Sequence, residues 1–584
     1  MKIIVSLFLL LFSVTEIVAQ SYYPMNYLEE KEDTIYFSTR TGGNRMDSLD
    51  RAYYNLNPSI FNNGRAYLPA FRDLSQWGSM NYQFGDARPQ YFADYHFSGL
   101  PYVGFFYSFG TKLDQVIDLR FAYNFSKKWA MSFRFHRSSD NGQMRRTKSS
   151  LNDIDLKLSY RGNHYRSYID AYFGNDKYEE SGGIQDADEL LELGLDLIAV
   201  NRNSAQVQVK RAHVSWKNYF SLGRDSLSKF SLYITPSFHT YNRKYTESNV
   251  DTSVQNFAYI NPLTTYDNYQ EPHALLDGGF MFKTKKLEVT LGYVVDYWEY
   301  HNLSHTLYGF DQYVVSGLNV NLNHWKINNS LRVFTNGNPV EFTDNFNATG
   351  TYGKHSVGGS ALAENYFIQP YQMSYNANHA EWTNAYKNST STSRYYGNVF
   401  YQFGGKQNIR VQVADMLVQH PIIFENGNWI NKVGSQNILS PKVSAEFKFW
   451  RFVSQSQLEA FVSNKSIFQH PDYRIRSRFF INTPLFKAKI LRIIFGVDFQ
   501  YYPNYNLTSY NAELGLFQFQ NVYSVNTNSI QLGAFLNLQI DQFRFMIAAQ
   551  GLDYMWEQRN SFNSQGYPNR PFTIRLAITW DFFN

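Results

Sequence analysis

Cysteine is absent from all 584 residues, which removes thiolate metal sites, disulfide frameworks and a cysteine-linked lipid anchor at once. Long apolar runs are absent too: after the opening residues, no window holds the roughly eighteen apolar residues that a membrane-crossing helix needs. Charge of one sign never accumulates. The formal net charge is +5, with no dense basic stripe of the kind a nucleic-acid binder carries, so no nucleic-acid partner is expected. Catalytic signatures are equally missing. There is no HExxH motif, no Gly-rich phosphate loop and no spacing that calls for calcium, and the 13 histidines are scattered. Those on polar faces, such as His136, read as wall residues rather than as bases or ligands. No enzyme, cofactor or resident metal is therefore expected.

What the chain does have is aromatic residues and alternation. Aromatics make up 18% of it, with 46 tyrosines and 49 phenylalanines. A membrane β-barrel uses such an excess for the belts at its two interfaces. Residues 572–584 alternate almost without error. Phe572, Ile574, Leu576, Ile578, Trp580 and Phe582 fall on one face; Thr573, Arg575, Ala577, Thr579 and Asp581 fall on the other. The same period recurs where Ile117, Leu119, Phe121, Tyr123 and Phe125 alternate with Asp118, Arg120, Ala122 and Asn124. It recurs again where Ile154, Leu156 and Leu158 oppose Asp153, Asp155 and Lys157, and where Ile530, Leu532, Leu536 and Leu538 oppose Gln531, Gly533 and Asn537. If the apolar face is outside, the charges lie inside, an inversion that requires lipid without and water within. The expected fold class is all-β: an antiparallel transmembrane β-barrel of the outer-membrane type. Single-chain bacterial barrels have even strand numbers, and the spacing predicts about 18 strands, within roughly 14 to 20.

Residues 1–19 read as a signal peptide, with Lys2, an apolar run over 3–12 and Ala19 at the expected cleavage point. That implies export to the bacterial outer membrane. Residues 20–90, with the charged cluster at 29–33, read as a periplasmic arm or lead-in, and 91–584 as the barrel. Tight connections are expected at 126–128, 162–164, 283–286, 324–325, 404–406 and 541–542. Long ones are expected at 138–150, 242–271, 336–353, 420–440 and 554–569, and a helix at 186–200 on an outer loop. Short turns alternating with long loops is the rhythm of outer-membrane barrels. Strand directions conflict over 464–508.

The C-terminal runs YYPNYNLTSYNAELGLFQFQN (501–521), QIDQFRFMIAAQGLDYMWEQ (539–558) and GYPNRPFTIRLAITWDFFN (566–584) resemble the putative outer-membrane porins of Bacteroidetes-type bacteria. LPYVGFFYSFGTKLDQVIDLRFAYNFSKKWAMSFRFHRSS (100–139) resembles the early strands of the same family. The resemblance runs from about residue 90 to the end and implies an outer-membrane barrel with passive pore activity.

The sharpest local feature is Arg474, Arg476 and Arg478, which a strand places on one face at intervals of about 6–7 Å. Facing lipid, each would cost on the order of 2–4 kcal/mol at the midplane, so a lumen or an interface is expected for them. One reading is an arginine ladder guiding anions; the other is a salt-bridge network with Asp498, Glu446 or Asp155. A second pore-lining set is Arg120, Arg134, His136, Asp153, Asp155, Lys157 and Arg161, which neighbouring strands bring together with both signs and which reads as a polar, self-neutralised wall. The function expected is passive diffusion of small hydrophilic solutes through an aqueous lumen, with outer-membrane lipid around it. The alternatives are a gated transporter for hydrophobic or oligosaccharide ligands and a closed assembly barrel. Homo-oligomerisation is an open expectation, with no interface in the sequence to carry it.

Overall fold

The computed structural model describes Leu74 and residues 101–583, apart from 143, 192–193, 223–227, 249–260, 262, 336–340, 379, 384–390, 406, 426–427, 465–466, 487–489, 504, 525–527, 557–561 and 570. The signal-peptide reading and, Leu74 aside, the arm at 20–90 lie outside the described residues.

Alternation becomes strands in chain order: β1 (Tyr102–Gly110), β2 (Gln115–Asn124), β3 (Trp129–Asp140), β4 (Ser149–Arg161), β5 (Tyr165–Glu179) and β6 (Gln206–Leu222). Next come β7 (Ser228–Glu247), β8 (Thr265–Thr284), β9 (Leu287–His301), β10 (Thr306–Asn321), β11 (Trp325–Phe334) and β12 (Phe342–Tyr352). Then follow β13 (His355–Tyr366), β14 (Thr392–Phe403), β15 (Asn408–Gln419), β16 (Ser435–Phe449) and β17 (Phe452–Ala460, continued by Val462–Ser463). The last are β18 (Tyr473–Leu485), β19 (Leu491–Tyr502), β20 (Ser529–Ile540), β21 (Phe543–Gln550) and β22 (Thr573–Phe583). Each pairs antiparallel with its neighbours, and β22 closes on β1, Tyr102 opposite Phe583 and Gly110 opposite Arg575. Among the described residues the barrel is closed and has 22 strands, which corrects the expected 18. The undercount has a physical cause. The strand β12, FTDNFNATGTY, has its row of Phe342, Phe346 and Tyr352 broken by Asp344 and Gly350, so it read as part of a loop over 336–353. The centre of β13, Gly358 to Ala361, is too small to show an apolar row.

The start of β1, the end of β22 and most of the short connections share one end; the long connections share the other, along with the four-residue links 111–114 and 302–305. In outer-membrane barrels that assigns the first end to the periplasm. All six expected tight turns lie at the short end. The conflict over 464–508 resolves as a connection at 464–472 followed by β18 and β19. The expected helix at 186–200 is a single 3₁₀ turn, Asp188–Leu191.

Leu291, Val399, Val497 and Trp580 stand exposed on the outer face, while inward positions such as Asp498, Arg575 and Asp581 are buried and polar. At the short-turn end the rings form a belt: Trp129–Tyr160 centroids are 4.9 Å apart, Tyr165–Phe220 5.1 Å and Trp580–Phe582 4.3 Å. Barrel diameter grows roughly with strand number, so 22 strands enclose more space than wall side chains can fill.

Candidate functional site: the luminal wall and its outer lid

Register brings the second predicted set together. Asp118 stands opposite His136, which stands opposite Asp153; Arg120 stands opposite Arg134, which stands opposite Asp155. Asp118 accepts from Arg120 Nε at 2.9 Å and Arg134 Nη2 at 2.8 Å, with His136 Nδ1 at 3.5 Å. Arg134 also lies 3.9 Å from Asp155. Asp153 accepts from the Tyr172 hydroxyl at 2.6 Å, and Lys157 lies 3.9 Å from Asp170 on β5. Arg161, at the short-turn end of β4, stands opposite Arg166. This sector pairs most of its own charge.

Arg474, Arg476 and Arg478 share the inner face of β18 with Phe480, while Phe479 points out. Two of the three are paired. Arg474 donates to Glu459 Oε2 from Nε at 2.9 Å and from Nη2 at 2.7 Å. Arg478 donates to Asp498 at 3.3 Å. Arg476 has no carboxylate partner among the described residues. It opens into a cavity of about 550 Å³ that Arg410 of β15 also lines. Sequence reasoning missed Arg410. Its signal was there, as the polar member of the alternation Ile409, Arg410, Val411, Gln412, Val413, but a lone arginine in an ordinary strand does not stand out as three in a row do.

The outer connections turn into the mouth. Ile184, Leu190, Leu195, Ile198 and Val200, between β5 and β6, share a buried cluster with Met416, Val418 and Ile438 on the inner faces of β15 and β16. In a ring of 22 strands, β5 and β15 stand on opposite sides, so this cluster bridges the lumen. Leu74, from the segment preceding the barrel, belongs to the same cluster. A hairpin between β19 and β20, Asn506–Asn511 with Leu516–Ser524, reaches across to β7. There Arg243 donates to the carbonyls of Ala512, at 3.1 Å, and Glu513. Gly515 turns this hairpin at φ +68°, and a Cβ there would stand 3.1 Å from the Arg243 guanidinium.

Between β13 and β14, the helix α1 (Pro370–Met373) and a hairpin place Tyr371, Tyr375 and Trp382 against Tyr269 of β8. Tyr375 stacks on Trp382 at 4.6 Å, and Tyr269 lies 4.8 Å from Tyr371. Phe424 and Trp429 from the next outer connection complete this cluster. Each large side chain withdrawn from water contributes about 1.5–3 kcal/mol, so apolar burial supplies most of the lid's stability and the polar contacts fix its seating. One of these is Arg202, which donates to Glu513 at 2.7 Å and lies 3.5 Å from Glu247. Burial pushes the Glu513 carboxyl up to about 7, opposed by Arg202 and Arg243 and reinforced by Glu247.

A family model described as "Putative porin" matches residues 31–584. Its match begins well before β1, so residues 31–100 lie within the family's extent. No curated protein sequence matches the chain at a significant level. Solved structures with a similar fold include the siderophore receptor PirA from Acinetobacter baumannii, at 11% identity and TM-score 0.58, over 83% of this chain and 80% of that one. The copper transporter OprC matches at 8% identity and TM-score 0.60, over 82% and 80%. The FrpB iron transporter from Neisseria meningitidis matches at 8% and 0.57, over 83% and 81%. At such identities the likeness is one of fold alone.

Proposed function

The chain belongs to the family described as "Putative porin", and from that premise we propose that it is a gated outer-membrane channel for small hydrophilic solutes, shut from outside by its own connections. The observation that supports gating over permanent passive diffusion is the lid, in which segments from β5–β6 and β19–β20 each meet the opposite wall. The mechanism needs no chemical step. A water-lined wall spares a polar solute the cost of dehydration, and wall charges set selectivity once the lid moves.

The test is conductance of the detergent-folded full chain in a planar bilayer, beside a variant whose hairpin 506–524 is replaced by a short Gly-Ser turn. The intact protein should be silent or open briefly, and the variant should give steady ohmic steps. Steady full-size steps from the intact protein would sink the gate.

A second reading, receptor-like uptake of a bound ligand, draws on Leu74 within the lid cluster and on the fold shared with a siderophore receptor and a copper transporter. It predicts silence even after the hairpin is removed.

A further inference from the structure

We propose that the cavity on the β14–β19 wall is a binding site for a small hydroxylated anion, a sugar-like molecule carrying a carboxylate or a phosphate. This rests on the reading of the lumen as a path for hydrophilic solutes and names the class it holds.

Charge comes first. The cavity is lined by Arg410, Arg476, Arg478, Glu446 and Asp498, together with carboxamides and serines. Asp498 is occupied by Arg478 at 3.3 Å, and Glu446 by Lys448 and by Gln455 Nε2 at 2.6 Å. Arg410 and Arg476 have no carboxylate partner among the described residues, and the Nε of each is buried without a hydrogen-bond partner. A buried donor left unpaired is costly, and a guanidinium satisfies its fork best with a carboxylate or phosphate. Two such groups on one cavity wall point to an anion and disfavour a cation.

Orientation and shape narrow the class. The Arg410 guanidinium lies 3.8 Å from the Phe400 ring centroid, so it is held before any ligand arrives and covers the nearest aromatic face. Ala445 is the one apolar residue in the lining, which leaves little to recognise a greasy or flat aromatic ligand. Gln402 donates to Asn408 at 3.0 Å and Gln457 to Glu459 at 3.4 Å, and each of these carboxamides keeps further donor and acceptor capacity, the pattern that matches hydroxyl groups. A volume of about 550 Å³ falls within the range of roughly 300–1,000 Å³ usual for small-molecule sites. Gln402 and Asn408 flank the 404–407 turn, so the site lies toward the periplasmic end, beneath the lid.

Calorimetric titration of the detergent-folded full chain with glucuronate, glucose 6-phosphate, glucose and inorganic phosphate tests this. Both sugar anions should bind, and each should bind more tightly than glucose or phosphate. Arg410→Gln and Arg476→Gln should each weaken the sugar anions by about tenfold or more, the scale of a lost charge-assisted hydrogen bond, with the barrel still heat-modifiable on gels. Should either variant fail to fold, Arg476→Lys, which keeps the charge and loses the fork, should bind more weakly than the parent. Phosphate binding as tightly as the sugar anions, unchanged affinity in folded variants, or no sugar-anion binding would each overturn the proposal. Titration does not depend on conduction. Binding by a protein that conducts steadily would remove the gate and keep the site; a lidless variant that conducts while the intact chain binds nothing would do the reverse.

Discussion

At the scale of single residues, charge is settled by who stands opposite whom. Arg474 and Arg478 find Glu459 and Asp498 across the register, whereas Arg476, between them, does not. The lid has its own residue-scale control in Arg243, which donates to the carbonyls of Ala512 and Glu513 across the mouth. Hydrogen bonds from a charged donor contribute about 1.5–3 kcal/mol each, so Arg243→Ala should lower the ratio of closed to open lid by more than tenfold. Single-channel open probability reads this directly, and an unchanged value would relieve Arg243 of the role. Glu513 adds a pH dependence. Its carboxyl is raised to about 7 in the closed lid and returns to about 4.5 once exposed. The closed form therefore holds the proton more tightly, and lid closure is strongest below that lower value. Closure weakens as pH rises through 7, so openings should become more frequent between about pH 5 and pH 8. Glu513→Gln should flatten that profile, and an unaltered profile would point to another group.

At the scale of elements, each strand has two faces with different solvents. Val399 of β14 is exposed on the outer face, between the rings of Tyr395 and Tyr401, whereas Gln412 of β15 points inward. Val399→Arg should cost about 2–4 kcal/mol of folding stability in lipid, and Gln412→Arg close to nothing, a contrast that urea unfolding in vesicles measures. Strands with a strong apolar row, such as β2 and β22, were legible from sequence. β12 was not, because Phe342, Phe346 and Ala348 share their face with Asp344 and Gly350, while the other face carries Thr343, Asn345, Asn347, Thr349 and Thr351. The 186–200 segment misled for the opposite reason. Its leucines and isoleucine have helical spacing, yet Leu190, Leu195 and Ile198 pack into the lid cluster while Leu197 is exposed.

At the scale of the whole molecule, strand number and lid belong together. A ring of 22 strands encloses a wide lumen, and an empty lumen of that width would leave the membrane open. Here outer connections pack across the mouth, joined by Leu74. Because several connections span the mouth and one residue of the lead-in is seen among them, deleting residues 31–90 alone should leave the channel silent. Removing the 506–524 hairpin should open it. Large steady conductance from the deletion of 31–90 would instead make that segment the gate.

The alternation of residues along the chain determined the barrel, its lipid-facing rows and its short-turn end. Each of these follows from side chains two apart sharing one face, which is a local property. The sequence also placed three arginines on one luminal face of a strand. The tertiary structure alone decided which of them are neutralised, that Arg410 joins Arg476 at one cavity, and that the outer connections cross the mouth. Those outcomes depend on strands tens to hundreds of residues apart coming into register around a closed ring, and local periodicity carries no record of such pairings.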